Sequence, residues 1–116
     1  MHSLEGVSQP VQAELNSEPA PKSMLENMEV ELAGGSYVVR FGGVAADQGT
    51  YEIEPAGLTL RGVTGPNAGR TIPCIHKFVE GRLVVCYGLG GVRPDDFGPA
   101  TGDQRYLASY QRKPAG

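Results

Sequence analysis

Apolar and polar residues alternate along most of this chain, and turn residues interrupt the alternation at short intervals. Val30 and Leu32 alternate with two glutamates, and Tyr51 and Ile53 share one face of a later segment. A period of two is typical of strands that bury one face. The eight predicted strands are residues 7–15, 29–32, 36–41, 50–54, 58–61, 71–78, 82–87 and 104–112.

Glycine and proline mark the predicted connections between these strands. Gly34-Gly35 indicates a hairpin, residues 42–48 and 88–99 are predicted loops, and residues 65–69 form a strong turn signal. The only helical candidate is residues 19–28, which carry a short apolar stripe. Pro10 places the first strand at a sheet edge or a bulge.

Successive hairpins favour an antiparallel meander, and a meander of eight strands removes its exposed edges by closing on itself. We therefore predict an all-β fold: an eight-stranded up-and-down, lipocalin-like barrel with one short helix near the N-terminus. An open antiparallel sandwich is the alternative. The chain length suits a single domain over residues 1–116, with residues 1–3 disordered.

Composition removes several classes of protein and adds one hint about a ligand. No apolar run approaches the ~20 residues of a membrane-spanning helix, and the first residues lack the features of a signal peptide. A net charge of −3 argues against a nucleic-acid partner. Acidic residues concentrate in the first half of the chain and basic residues in the second. Either the two halves attract each other, or basic groups line a site for an anion.

Several short stretches together resemble a known family. They are Leu4-Glu5-Gly6, Glu18-Pro19-Ala20-Pro21, Gly49-Thr50-Tyr51, Gly65-Pro66-Asn67-Ala68-Gly69-Arg70-Thr71, Leu83-Val84-Val85-Cys86-Tyr87 and Gly91-Val92-Arg93-Pro94. The chain resembles, from about residue 4 to residue 112, the small lipocalin-like (calycin-type) domain found largely in planctomycete bacteria. The resemblance implies a lipocalin-like barrel and no particular activity, because fold alone does not determine function.

The chain departs from that family at one position. The resemblance implies Gly-x-Trp in the first strand, with the tryptophan closing one barrel end against a late arginine. Ser8 stands where the tryptophan would be, and the sequence contains no tryptophan. The matching arginine would be Arg112, with Arg105 as the other candidate. We expect this end of the barrel to be looser, or closed in another way.

The hairpin that carries Cys74, His76 and Cys86 permits three interpretations. A two-residue turn at Glu80-Gly81 would put the cysteines on opposite faces, whereas a three-residue loop from Val79 would put them opposite each other. We favour the three-residue loop, because glycine in its third place suits a type I turn followed by a left-handed residue. The cysteines are then reduced apolar residues, a cross-strand disulfide, or zinc ligands together with His76.

Binding of a small molecule is favoured over catalysis. A barrel that its own side chains do not fill offers an apolar cavity with a few polar groups. The candidate ligand-binding residues are Tyr51, His76, Tyr87, Tyr106 and Arg40, although Arg40 would be a solvated residue if Tyr37 faces inward. No catalytic residue, metal site or cofactor is assigned, because no activated nucleophile or complete ligand set is evident.

Three functions follow from these patterns. The first is a binding domain for a small, partly apolar ligand, with or without an anionic group. The second is a structural or protein-interaction domain with a filled barrel, and the third is an enzyme that uses His76 and Cys86. An enclosed space smaller than about 300 Å³ would disfavour ligand binding.

Overall fold

Antiparallel strands make up most of the computed structural model, which describes residues 5–15, 18–55, 57–97 and 105–112. The elements are β1 Gly6–Leu15, β2 Glu18–Pro19, α1 Lys22–Glu26, β3 Met28–Ala33, β4 Ser36–Phe41, β5 Val44–Glu54, β6 Gly57–Thr64, β7 Thr71–Val79, β8 Arg82–Gly88 and β9 Arg105–Arg112. No helix among these residues is long and apolar enough to cross a membrane. The predicted disorder of residues 1–3 lies outside the described residues.

The strands close into an eight-stranded barrel, as predicted. β3 to β9 pair in sequence order, and β1 joins the two ends. Ser8 lies opposite Val30 on β3 and opposite Arg112 on β9, so one residue of β1 takes part in both pairings. The two-residue β2 pairs only with β1 and is not part of the barrel wall. The meander is therefore closed, and the open sandwich is excluded.

A bulge near Pro10 lets β1 bend between its two partners. The register with β9 shifts between Pro10 and Gln12, which leaves Val11 outside the regular pairing. Proline has no N–H to donate to a ladder, so a bulge accommodates it at little cost. The predicted placement of Pro10 at an edge or bulge is confirmed.

The predicted loop over residues 42–48 is wrong, because only Gly42-Gly43 forms the turn. β5 starts at Val44 and continues to Glu54, with register shifts near Asp47 and Gly49. A Cβ at position 49 would overlap the carbonyl oxygen of Arg61 and lie 2.5 Å from Cε2 of Tyr37. Glycine at position 49 thus lets the tyrosine ring lie directly on the neighbouring strand.

The helix is shorter than predicted. It spans Lys22–Glu26, with Pro21 at its N-terminal boundary, and Leu25 is the one buried residue in it. Pro19 belongs to β2 and Met28 begins β3, so the two ends of the predicted helix are instead part of strands. A helix of this length depends on packing, here of Leu25 into the core.

The turn between β7 and β8 has two residues, so the predicted three-residue loop is wrong. Val79 lies opposite Arg82, and both turn residues have positive φ, 51° at Glu80 and 79° at Gly81. Positive φ at both central positions matches the twist of a two-residue hairpin, and here glutamate adopts it in place of asparagine. The register puts Ile75 opposite Cys86 and Cys74 opposite Tyr87.

Residues 89–97, here called the strap, fold back over the outer surface of the barrel. Arg93 Nη1 donates to the carbonyl oxygens of Leu58 (3.2 Å) and Cys74 (2.7 Å), and Nη2 donates to Thr59 Oγ1 (2.9 Å). Nη2 also lies 3.6 Å from a carboxylate oxygen of Glu54. One guanidinium therefore fastens the strap to β5, β6 and β7.

Further contacts of the strap are with outward-facing residues of β7 and β9 and with Arg70, whose guanidinium donates to the carbonyl oxygen of Leu89. The Lys77 ammonium lies 4.3 Å from the centre of the Phe97 ring, and Arg105 bonds Asp96 and Asp95 at 2.9 and 3.3 Å. The strap thus covers one side of the barrel wall, and its first residue, Leu89, also lines the interior.

Replacing Arg93 by alanine is expected to lower the free energy of unfolding by about 1–3 kcal/mol, since it leaves two carbonyls and a hydroxyl without their donor. Arg61→Ala is the matched control. It removes an exposed ion pair with Glu52 (2.7 Å) and should cost less than about 1 kcal/mol. Urea unfolding of both variants measures the difference. Equal losses would show that Arg93 does not hold the strap.

Candidate functional site

The barrel contains a partly open cavity of about 260 Å³ whose wall is mainly apolar. Aliphatic side chains from β3, β6, β7 and β8 line it, namely Val30, Leu60, Ile72, Leu83 and Val85. The volume is below the range of about 300–1,000 Å³ that is usual for small-molecule pockets. It disfavours a ligand of ordinary size and leaves room only for a small one.

One end of the cavity lies at the start of β1. Gly6 and Ser8 both line it, and the Arg112 side chain runs so close to Gly6 that a Cβ there would be 3.1 Å from its Cδ, Nε and Cζ. The resemblance implies a tryptophan at position 8, and the small serine leaves that space to the cavity. Arg112 is the arginine beside this end, since Arg105 lies at the opposite end of β9 and pairs with the strap.

A buried carboxylate lies in the wall at the other end. Asp47 is only 9% exposed and lines the cavity with Asn67 and Tyr37. Asn67 Nδ2 donates to Asp47 Oδ2 (2.8 Å), and the Tyr37 hydroxyl lies 3.4 and 3.5 Å from the two carboxylate oxygens. Burial, and then the negative charge of Asp47, raise the pKa of Tyr37 to about 12, so its hydroxyl stays a donor.

Three further tyrosines line the cavity from β8 and β9. The hydroxyls of Tyr87 and Tyr110 are 2.6 Å apart, and the rings of Tyr87 and Tyr106 are 5.4 Å apart. Burial raises the pKa of all three phenols. The Tyr106 hydroxyl is buried and has no hydrogen-bond partner among the described residues. The cavity thus offers one polar atom that a ligand could satisfy.

The predicted ligand-binding residues fall into three groups. Tyr87 and Tyr106 line the cavity. Tyr51 and His76 lie on inward-facing positions of their strands but are not in its wall. Arg40 lies on the outer face, where its guanidinium bonds Glu31 and lies 3.7 Å from Glu29, so it does not reach the interior.

His76 is half-buried beside Phe78, with the ring centres 6.4 Å apart and the rings perpendicular. Burial lowers its pKa, and its Nδ1 has no partner among the described residues. The pairing of Ile75 with Cys86 puts Cys86 on the outer face, whereas His76 faces inward. The imidazole and that thiol therefore do not meet.

Sequence reasoning missed Asp47 and Asn67 as site residues. Asp47 falls in the predicted loop over residues 42–48, and Asn67 lies in the predicted turn over residues 65–69. Neither residue belongs to a motif with an implied role in binding. The two residues meet because the turn at residues 65–69 packs closely against β5. The approach is so close that a Cβ at position 65 would overlap the carbonyl oxygen of Ala46.

The two cysteines are free and buried on opposite faces of the β7–β8 hairpin. Cys74 belongs to the core, and burial raises its pKa to about 12. Cys86 faces outward, and burial raises its pKa as well. A cross-strand disulfide and a joint zinc site with His76 both required the three-residue loop, so the observed register does not form either. Among the described residues no cluster of three ligands suits a metal ion.

Both thiols are expected to resist Ellman's reagent at pH 8 in the folded protein, because a buried, protonated thiol is a poor nucleophile. Two thiols per chain should titrate in urea without reductant, at least about a hundredfold faster, since local opening no longer limits access. Cys86→Ser, the control, should leave one. A count below two in the unfolded wild type would show a disulfide.

The pKa of Tyr37 predicts a loss of stability at alkaline pH. Its folded-state pKa, about 12, is raised above the ordinary 10.0, so its contribution to stability is complete below pH 10 and is lost as the pH rises through 12. The free energy of unfolding of Tyr37→Phe should therefore fall less than that of the wild type between pH 9 and 12. Urea unfolding across this range measures the difference, and parallel curves would contradict the assignment.

In comparisons with known proteins, the chain matches no family model, no curated protein and no solved structure. The assignment of a closed antiparallel barrel therefore rests on the strand register and on the pairing of β1 with both β3 and β9. The likeness to lipocalin-like domains stays a prediction from the sequence.

Proposed function

We propose that this chain is a lipocalin-like domain that binds a small, partly apolar ligand inside its barrel. The observation that carries the proposal is the cavity of about 260 Å³, which is apolar except for a few polar groups. A wall of this kind is typical of small-molecule sites, where apolar contact supplies affinity and a few polar atoms fix orientation. The buried Tyr106 hydroxyl without a described partner supports the same conclusion.

The expectation of an anionic ligand loses its basis in this arrangement. Arg40, the one arginine proposed for the site, is engaged by glutamates on the outer face, and His76 is not in the wall. Among the described residues that line the cavity, none is lysine, arginine or histidine. The ligand class is therefore better defined by the apolar wall than by the charge distribution along the chain.

A filled barrel with a structural or interaction role is the second candidate. The small volume favours it, because it falls below the usual size of ligand pockets. The enzyme hypothesis has less support, since His76 and Cys86 lie on opposite faces of the β7–β8 hairpin.

Filling the cavity should separate the two candidates. Ser8→Trp places an indole where Ser8 lines the wall, and it is expected to weaken binding of the neutral probe 2-phenylethanol at least tenfold. Ser36→Trp, at an exposed position on the same sheet, is the matched control and should bind as the wild type does. Isothermal titration calorimetry, with circular dichroism to verify folding, measures both.

Two outcomes would contradict a binding role for the cavity. The first is a folded wild-type protein that binds neither 2-phenylethanol nor a charged analogue of it at millimolar concentration, as a filled barrel predicts. The second is equal binding by Ser8→Trp and the wild type, which would place the probe elsewhere on the molecule.

A further inference from the structure

We propose that the ligand of the cavity carries a protonated amine, which binds the carboxylate of Asp47 while its apolar body lies against the barrel wall. This inference rests on the binding function proposed above and names the chemical class of the ligand. It replaces the anion expected from the sequence by a cation.

The first support is the unusual environment of Asp47. Its side chain is buried in an apolar wall, yet its partners are the neutral groups of Asn67 and Tyr37. No described lysine, arginine or histidine nitrogen lies within ion-pairing distance of it. Buried carboxylates in proteins are nearly always paired with a cation, so this one has an incomplete set of partners.

A structural role explains only part of this arrangement. The hydrogen bond that Asn67 donates to Asp47 Oδ2 fastens the turn at residues 65–69 to β5. This structural role accounts for one acceptor position of the carboxylate. A carboxylate has about four acceptor positions, and the contacts with Tyr37 are long, at 3.4 and 3.5 Å. Capacity therefore remains for a charge-assisted bond, which is shorter and stronger than a neutral one.

The burial of Asp47 also favours a cation energetically. Its carboxylate has already lost most of its water in the folded protein, so an arriving ammonium group regains attraction without a further large desolvation of the acid. An anionic ligand would be repelled by the Asp47 carboxylate, and no described lysine, arginine or histidine in the wall would offset that repulsion.

The remainder of the wall suits the other parts of such a ligand. Leucine, isoleucine and valine side chains surround the space for an apolar body. Tyr37, Tyr87, Tyr106 and Tyr110 present aromatic rings, whose faces attract cations. The volume limits the body to about one aromatic ring or a short aliphatic chain, judged against the larger pockets that hold drug-sized ligands.

Three probes with the same phenylethyl body test the inference on the wild-type protein. They are 2-phenylethylamine, 2-phenylethanol and 3-phenylpropionate, which are cationic, neutral and anionic at pH 7. Calorimetry at low salt is expected to show at least tenfold tighter binding of the amine than of the alcohol, with the carboxylate weakest. Any other order would overturn the inference, even if a variant of Asp47 fails to fold.

Asp47→Asn then identifies the residue responsible. It removes the charge and keeps the shape, so the tenfold preference for the amine should fall to less than about threefold while the alcohol still binds. Asp95→Asn is the matched control, because Asp95 is an exposed acid of the strap on the outer face. It should keep the full preference.

The outcomes separate this inference from the proposed function. If the alcohol binds and the amine binds no tighter, or if Asp47→Asn keeps the preference, the amine proposal is wrong and the binding function stands. If none of the three probes binds the folded wild-type protein, both are wrong.

Discussion

Closure of this barrel depends on one strand, β1, which supplies hydrogen-bonding partners to both ends of the sheet. Ser8 is the point where the two pairings overlap, and the bulge at Pro10 lets the strand turn from β3 toward β9. Because a closed sheet has no free edge, every inward-facing side chain contributes to one shared interior. The cavity exists because those side chains do not fill it.

The polar groups of the interior form two separate sets. Asp47 and Asn67 meet where the turn at residues 65–69 packs on β5, and the hydroxyls of Tyr87 and Tyr110 meet on adjacent strands. Such groups are stable in an apolar setting only when they have partners. Asp47 differs from the tyrosines in being an acid, and its buried carboxylate has only neutral partners among the described residues.

Much of the fold was predictable because it depends on local pattern. Alternation and turn residues located the strands, and the need to remove sheet edges predicted closure. Tyr87 and Tyr106 could also be predicted to face the interior, because the residues two positions away from each are apolar or small. Arg40 could not be assigned to a face until the side occupied by Tyr37 was known, because a strand pattern with apolar residues on both faces fits either orientation.

The sequence by itself determined the positions of most strands and the antiparallel meander, since a period of two marks each strand and short turn-rich connections join neighbours. Tertiary structure decided the register at Glu80-Gly81 and the partners of Asp47. A turn one residue shorter than predicted moves Cys86 to the opposite face of the hairpin, and no pattern in the sequence specifies that difference. The burial of Asp47 depends on contact with Asn67, which the pairing of β5 with β6 and the packing of the turn after β6 bring beside it.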